Sequence, residues 1–230
     1  MSPAAQGLPE RGMRLARRLA RGYFTRRWEI HLRGPARVPE SGPVILASNH
    51  IGWLDGPLLF AMSPRPAHAL VKEEEFVGRT GTLLRFVGQI KVTRERTDAG
   101  ALRHAVRALN AGQVVTIYPE ATRGAGDFTR FKGGVTWLAL VTGAPVVPVA
   151  IFGTRLAGEA SDARPAKGAR LDIVYGEPIQ FPMQAWPRDR EMLEDAGDQI
   201  RDHLRAHVSW SSDALKRDLP RPLPTGSPDG

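Results

Sequence analysis

The hydrophobic positions of the chain alternate between short apolar runs and longer amphipathic stretches. Short apolar runs bounded by turn residues are typical of buried strands, and apolar residues at three- and four-residue intervals are typical of helices. The predicted strands are residues 28–32, 43–48, 67–71, 89–92, 114–118, 146–152 and 171–175. The predicted helices are residues 11–24, 55–62, 76–86, 98–111, 133–141 and 188–208. This alternation predicts an α/β fold: a single domain with a mixed, mostly parallel sheet flanked by helices, preceded by an N-terminal basic amphipathic helix.

The two ends of the chain differ in composition from its middle. Residues 1–27 are rich in arginine, and residues 28–208 contain every predicted strand and form the main domain. From residue 209 to 230, Pro, Ser, Gly and Asp become frequent. That composition predicts a disordered tail after the domain.

The net charge of +8 is concentrated at the N-terminus. Residues 1–37 hold nine arginines against Glu10 and Glu29, a net charge of +7, so the rest of the chain is nearly neutral. A nucleic-acid-binding domain more often carries its basic face on the folded core. The distribution therefore favours a membrane surface with anionic lipids as the partner, rather than nucleic acid.

Residues 11–24, projected as a helix, separate an apolar face from an arginine face. A helix of this kind suits docking in the plane of an anionic membrane, where each basic residue contributes about 1 kcal/mol. The alternative is a helix that packs its apolar side on the core and exposes its arginines to solvent. The apolar face comprises Met13, Ala16, Leu19, Ala20, Tyr23 and Phe24, and the arginine face Arg11, Arg14, Arg17, Arg18 and Arg21.

One stretch, residues 133–154, contains no charged residue and is long enough to span a bilayer. Gly143, Pro145 and Pro148 interrupt it, which predicts a short helix, a turn and a buried strand instead. No apolar run follows the N-terminal arginines, so a signal peptide is not predicted. We expect a peripheral protein on the cytoplasmic face of the membrane.

Several classes of protein are excluded by missing residues. The chain has no cysteine, which excludes disulfides, cysteine-ligated metals and a thiol nucleophile. It also has no G-x-S-x-G elbow, no G-x-x-x-x-G-K-[ST] loop, no G-x-G-x-x-G fingerprint and no H-E-x-x-H pair. These absences argue against a serine hydrolase, a P-loop NTPase, a dinucleotide oxidoreductase and a zinc protease.

A histidine and an aspartate, His50 and Asp55, follow the predicted strand 43–48. Ligands of α/β sheets collect at the carboxyl ends of strands. A carboxylate on one imidazole nitrogen leaves the other nitrogen to take a proton from a hydroxyl, provided that a turn at Gly52 brings the two side chains together. The alternative is that His50 caps the strand and Asp55 caps the next helix.

Charged residues also follow three other predicted strands. Glu120 and Arg123 come directly after residues 114–118, and a carboxylate and a guanidinium in one turn can hold a hydroxyl and a phosphate. Arg94 follows residues 89–92, and Lys72 follows residues 67–71. Lys132 comes later in the same segment as Glu120 and Arg123, after residues 114–118. Each of these alone is typical of a solvated surface charge, but together they indicate a site at one edge of the sheet.

Four sequence blocks in order resemble the glycerolipid acyltransferases, whose best-known members are the 1-acylglycerol-3-phosphate acyltransferases. The blocks are Asn-His-x-x-x-x-Asp at 49–55, Gly-x-Ile-x-Val-x-Arg at 88–94, Pro-Glu-x-Thr-Arg at 119–123 and Val-Pro-Val at 147–149. The resemblance covers roughly residues 28–180. It implies direct acyl transfer from acyl-CoA or acyl-carrier-protein, used as co-substrate, to a hydroxyl of a glycerol-phosphate acceptor.

The resemblance also implies a role for each block. His50 is expected to be the general base and Asp55 the residue that orients it. Arg94 and Arg123 are expected to bind the acceptor phosphate, and Glu120 to position the glycerol hydroxyls. The remaining expected substrate-binding residues are Asn49, Thr122 and Lys132, and the expected acyl-pocket residues are Val147, Pro148 and Val149. No metal, no cofactor and no obligatory protein partner are expected.

Two departures from the family pattern leave the acceptor open. Ala121 stands where the family usually has Gly, and Thr93 where it often has an acidic residue. If that Gly adopts a positive φ, an alanine there costs about 1 kcal/mol or shifts the turn. The acceptor is therefore 1-acylglycerol-3-phosphate, giving phosphatidic acid, or another lysolipid or a glycolipid hydroxyl. A non-catalytic module that binds anionic lipid or nucleic acid is the alternative from a different class.

Overall fold

A computed structural model describes residues 7–93, 98–185 and 189–220 of the chain. The helices are α1 (Arg11–Arg27), α2 (Asp55–Met62), α3 (Gly78–Phe86), α4 (Ala99–Asn110), α5 (Gly134–Thr142) and α6 (Arg190–Leu215). The strands are β1 (Glu29–Arg33), β2 (Val44–Ser48), β3 (Ala67–Lys72), β4 (Ile90–Val92), β5 (Val114–Ile117), β6 (Val146–Phe152) and β7 (Arg170–Tyr175). They form one sheet in the order β1-β7-β6-β2-β5-β3-β4.

The sheet is mostly parallel, which confirms the predicted fold class. Every neighbouring pair of strands is parallel except β6 and β7. Every residue of the central strands β2, β5 and β6 is buried, because helices cover both faces of the sheet. Strands buried on both faces have continuous apolar sequences, and that is why these three could be located from sequence.

The register of the central strands brings their carboxyl ends to one edge of the sheet. Ala47 of β2 lies opposite Ile117 of β5, and Ser48 lies opposite Val149 of β6. The residues that follow β2 and β5 therefore emerge side by side. Since β3 and β4 run in the same direction, they end at this edge too.

The N-terminal helix α1 is part of the folded core. Met13 and Phe24 are buried, and the Arg17 guanidinium donates hydrogen bonds to the carbonyls of Phe60 (2.9 Å) and Ser63. Leu19 and Tyr23 are exposed. The predicted faces are therefore wrong in detail. The predicted apolar face contains both buried and exposed residues, and Arg17, which was predicted to lie on the exposed arginine face, binds the end of α2 instead.

The last helix extends beyond the predicted end of the domain. We expected the domain to end at residue 208 and a tail to follow, but α6 continues to Leu215, and Lys216 ends it in the left-handed region with φ of 53°. Its buried stripe crosses the predicted boundary, since Val208 is followed by buried Ser211 and Leu215. The stripe was not recognised in the sequence because most of the residues between its members are polar. Residues 221–230 lie outside the described residues.

The uncharged stretch 133–154 forms α5, a turn and β6, as predicted. Gly143 ends α5 with a φ of +64°. Within the described ranges, no helix combines the length and the apolar character needed to cross a membrane.

Candidate active site

The imidazole of His50 and the carboxylate of Asp55 are hydrogen-bonded at the edge of the sheet. Nδ1 of His50 lies 2.9 Å from Oδ2 of Asp55. The Asp55 side chain is fully buried, and that of His50 keeps 18% of its surface exposed. Because an ionised carboxylate only accepts hydrogen bonds, Nδ1 carries the proton and Nε2 keeps a free lone pair. The structure thus brings together the predicted pair with the tautomer that a general base needs.

Asp55 is held by donors on both of its oxygens. Oδ2 also accepts the backbone N–H groups of Ile51 (2.7 Å) and Gly52 (2.8 Å), and Oδ1 accepts the Thr154 hydroxyl. A buried carboxylate needs donors of this kind to remain charged. Sequence reasoning missed Thr154, which follows β6 about 100 residues from Asp55 and has no motif to mark it.

Gly52 serves the turn through its small size. Its backbone does not adopt a positive φ. A Cβ built on Gly52 would lie 3.2 Å from the carbonyl oxygen of Thr154 and 3.3 Å from Cβ of Arg155. Gly52 therefore permits the close approach of the segment after β6, whereas we had expected it to ease the turn itself.

The ring of Tyr118 lies against the imidazole of His50. The two ring centroids are 4.3 Å apart and the planes are inclined by 28°. Burial raises the pKa of the Tyr118 phenol well above its ordinary value, and the nearby charge of Asp55 adds to the effect. The phenol is therefore neutral at physiological pH, and its contact with His50 is a ring-stacking contact.

Glu120 is 5% exposed and accepts two backbone hydrogen bonds. Its Oε2 accepts the N–H of His50 (2.8 Å), and its Oε1 accepts the N–H of Phe128 (3.2 Å). Burial raises the pKa of Glu120 to about 7, although these two N–H groups act in the opposite direction. The carboxylate thus connects the segments that follow β2 and β5.

Arg155 also connects the segments that follow β2 and β5. Its guanidinium is buried and donates to the carbonyls of Ile51 (2.6 Å, from Nε) and Gly124 (2.6 Å, from Nη2). Burial lowers the pKa of Arg155, and the charge of Asp55 partly offsets that effect. In addition, the N–H of Gly124 donates to the carbonyl of His50 (2.8 Å). Sequence reasoning missed Arg155; its one signal is its position at the end of an uncharged run.

Two groups of predicted site residues lie in the core instead. The Asn49 side chain is fully buried, and its amide pairs with both backbone groups of Ile151 at 2.8 and 3.0 Å. Asn49 therefore joins β2 to β6 and does not present its amide to a substrate. Likewise, Val147, Pro148 and Val149 are buried within β6. They pack the centre of the sheet, and their predicted position beside the acyl chain stays a prediction.

The remaining predicted residues belong to the loop after β5 or to other strand ends. Thr122 and Arg123 are half-buried and directly precede Gly124, whose N–H binds the His50 carbonyl. Lys132 is exposed, and its N–H closes the loop on the carbonyl of Pro119 (2.8 Å). Lys72 lies 3.5 Å from Glu75. Arg94, which we expected to bind phosphate, lies outside the described residues.

This arrangement is chemically suited to removing a proton from a hydroxyl. An imidazole oriented by a buried carboxylate sits at the carboxyl ends of parallel strands, with a loop containing arginine beside it. No cluster of three or more His, Cys, Asp or Glu residues that could hold a metal ion occurs in the part of the chain that the structure describes.

Comparison with known proteins identifies the family. The model of the family described as Acyltransferase matches residues 29–152, which is more than half of the chain and includes His50, Asp55 and Glu120. The protein therefore belongs to this family and is an acyltransferase.

Named relatives and a solved structure agree with that assignment. The 1-acyl-sn-glycerol-3-phosphate acyltransferase of Bacillus subtilis (strain 168) is 28% identical over 158 residues, covering 65% of this chain and 76% of the relative. The human 1-acyl-sn-glycerol-3-phosphate acyltransferase beta is 31% identical over 139 residues, 56% of this chain, which spans half the length of that relative (50%). The crystal structure of the 1-acyl-sn-glycerophosphate (LPA) acyltransferase PlsC from Thermotoga maritima has the same fold, with a TM-score of 0.69 at 22% identity over 89% of this chain and 79% of that one.

Proposed function

We propose that the protein transfers a fatty acyl group from acyl-CoA or acyl-carrier-protein to the free hydroxyl of 1-acylglycerol-3-phosphate, in phospholipid biosynthesis. The observation that carries this proposal is the His50–Asp55 pair, whose hydrogen bond leaves Nε2 of His50 as a proton acceptor. The names of the relatives from Bacillus subtilis and human support the choice of acceptor.

In the proposed reaction, the acceptor hydroxyl gives its proton to Nε2 of His50 as its oxygen attacks the thioester carbonyl carbon. A carbon–oxygen bond forms and the carbon–sulfur bond breaks. The departing thiolate takes the proton from the imidazolium, which leaves phosphatidic acid and a free thiol. Asp55 stabilises the imidazolium while the proton is on His50.

The acceptor phosphate is assigned to Arg94 and Arg123. A guanidinium offers two parallel donors to phosphate oxygens. Arg123 precedes the Gly124–His50 hydrogen bond by one residue, so its loop borders the base. Thr122 and Lys132, on the same loop, are the further candidates for polar contacts with the acceptor.

A panel of acceptors tests the proposal. Purified protein is given acyl-CoA together with lysophosphatidate, glycerol 3-phosphate, a zwitterionic lysolipid or an uncharged glycolipid, and release of free thiol is measured. We expect turnover with lysophosphatidate to be the fastest. Preference for an uncharged hydroxyl would remove Arg94 and Arg123 from the phosphate role, and no turnover with any acceptor would favour a module that only binds lipid.

The protein is further proposed to dock on an anionic membrane through α1 and α3, at the cytoplasmic face. Leu15, Leu19 and Tyr23 follow one stripe of α1 and are each more than half exposed. Phe86 of α3 extends this stripe, because a Cβ on Gly12 would lie 2.6 Å from Cζ of Phe86. An exposed apolar stripe flanked by arginines fits a lipid surface better than it fits water. The flanking exposed arginines are Arg14, Arg18, Arg21 and Arg26.

Vesicle flotation tests this docking surface. Leu19→Ser combined with Phe86→Ser is expected to reduce binding to vesicles containing phosphatidylglycerol by about tenfold, because it removes two apolar anchors. Trp210→Ser, at an exposed aromatic residue of α6, is the matched control and is expected to bind as the unmodified protein does. Equal binding by both variants would contradict the proposal, as would tighter binding to duplex DNA than to the vesicles.

A further inference from the structure

Glu120 accepts one hydrogen bond from the backbone N–H of His50 and one from the backbone N–H of Phe128. The ladder between β2 and β6 ends with the N–H of Asn49, which donates to the carbonyl of Val149 (3.4 Å). The next N–H, that of His50, has no strand to bind and donates instead to Oε2 of Glu120 (2.8 Å). The side chain of Glu120 therefore supplies the acceptor that a neighbouring strand would supply to the His50 N–H within the sheet.

The other oxygen of Glu120 supports the opposite wall of the site. Oε1 accepts the N–H of Phe128 (3.2 Å), whose φ of +57° is unusual for a residue with a side chain. The loop that contains Phe128 also supplies the N–H of Gly124 to the carbonyl of His50 (2.8 Å). The Glu120 carboxylate thus holds the backbone of His50 directly through its N–H. It also acts indirectly, by holding the loop whose Gly124 N–H binds the His50 carbonyl.

We propose that Glu120 is a positioning residue, which orients His50 through its backbone and does not bind the hydroxyls of the acceptor. This inference rests on the proposed role of His50 as the base. It replaces the role that family resemblance implied for Glu120, since each oxygen of the carboxylate is already engaged by a backbone donor and the residue is 5% exposed. A substrate ligand would need an accessible oxygen.

The variant Glu120→Gln separates the two roles. Its amide has nearly the same shape, but its –NH2 group would face one of the two N–H donors, so one of the two segments loses its acceptor. We expect kcat to fall by about 10- to 100-fold, part of the effect of a well-placed base, while KM for lysophosphatidate stays within about twofold. Assays at roughly pH 8.5 keep Glu120 ionised, because its pKa is about 7. Glu194→Gln, at an exposed partner of Arg190 on α6, is the matched control.

Amide hydrogen exchange gives a readout that needs no substrate. In the unmodified protein the N–H groups of His50 and Phe128 are expected to be protected, and Glu120→Gln is expected to increase exchange of at least one of them by about tenfold or more. Exchange of the His50 N–H at the rate of an unprotected amide in the unmodified protein would overturn the inference, even if the variant did not fold. So would a tenfold rise in KM with unchanged kcat and unchanged exchange. If the unmodified protein showed no transfer to lysophosphatidate, the proposed function would fail while the exchange experiment still decided the role of Glu120.

Discussion

The segments that follow β2 and β5 face each other across the site, and they are built differently. In the first, residues 49–55, Asp55 is fully buried and every oxygen of its carboxylate has a donor. In the second, residues 118–133, Thr122 and Arg123 are half-buried, and two residues with side chains, Ala121 and Phe128, adopt φ of 59° and 57°. In the first segment, hydrogen bonds fix the imidazole of His50 and the carboxylate of Asp55. The second segment instead contains backbone strain beside the site.

This difference predicts which property each segment controls. Changes in the first segment are expected to lower kcat, because they displace or misprotonate the base. Changes elsewhere in the second segment than Glu120 are expected to alter stability and acceptor preference, because that loop contains Arg123 and the strained turns. Glu120 is the exception, because its hydrogen bond to the backbone of His50 makes it act on kcat. Four substitutions or titrations test this division, and a fifth measurement tests the base itself.

The largest effect is expected from Asp55→Asn. The amide places an –NH2 group among the donors that now surround the carboxylate, and it no longer stabilises an imidazolium. We predict a loss of at least about 10²-fold in the rate of thiol release at saturating substrate. The melting temperature monitors the fold. A folded variant with activity within a few-fold of the unmodified enzyme would show that the first segment does not control the chemistry.

The next largest effect is a pH dependence of stability that comes from Glu120. Burial raises its pKa from the unfolded value of 4.5 to about 7, so the native state binds more protons than the unfolded state between these values. The free energy of unfolding should therefore fall as pH rises from about 4.5 to 7, by on the order of 3 kcal/mol from this group. Chemical denaturation of the unmodified protein and of Glu120→Gln gives the difference directly. Parallel curves for the two proteins would show that Glu120 is ionised in the native state throughout.

Thr154→Val removes one donor from Asp55 and keeps the shape of the side chain. A buried carboxylate oxygen then lacks a partner, which should lower the free energy of unfolding by about 1–3 kcal/mol and lower kcat by roughly tenfold. Thr154→Ser restores the hydroxyl and is the control. Similar losses in both variants would assign the effect to packing, not to the hydrogen bond with Asp55.

The smallest effect is expected in the second segment, from Ala121→Gly. Ala121 has a φ of 59°, in the left-handed region that glycine adopts without a steric penalty. The sequence comparison with the family suggested this strain, and the substitution is predicted to stabilise the protein by about 1 kcal/mol with kcat changed less than about twofold. A thermal melt measures the change in stability, and the rate of thiol release at saturating substrate measures kcat. Destabilisation by glycine would mean that the turn is not strained.

Local patterns in the sequence were sufficient for the fold class and for the pairing of His50 with Asp55. The buried strands have continuous apolar sequences, and the bounds of α2 and β6 agree with their predictions at both ends. His50 and Asp55 lie within one turn, so their pairing depends only on local chain geometry. Features of this kind repeat over a few residues and can be recognised without knowledge of distant contacts.

Contacts between distant parts of the chain could not be predicted in the same way. Thr154 and Arg155 reach the site only because β6 pairs with β2, which brings the ends of those strands together. The same pairing buries Asn49, which a motif alone suggests for substrate binding. On α1, the docking of Arg17 on the end of α2 depends on how the two helices cross, and helical projection carries no information about that crossing.

The rate of thiol release by His50→Ala tests the central claim most directly. The assay uses acyl-CoA and lysophosphatidate at saturation, together with a melting curve to establish that the variant is folded. If His50 is the general base, the rate falls by at least about 10²-fold while the melting temperature changes little. A folded His50→Ala variant that turns over within about tenfold of the unmodified enzyme would contradict the account.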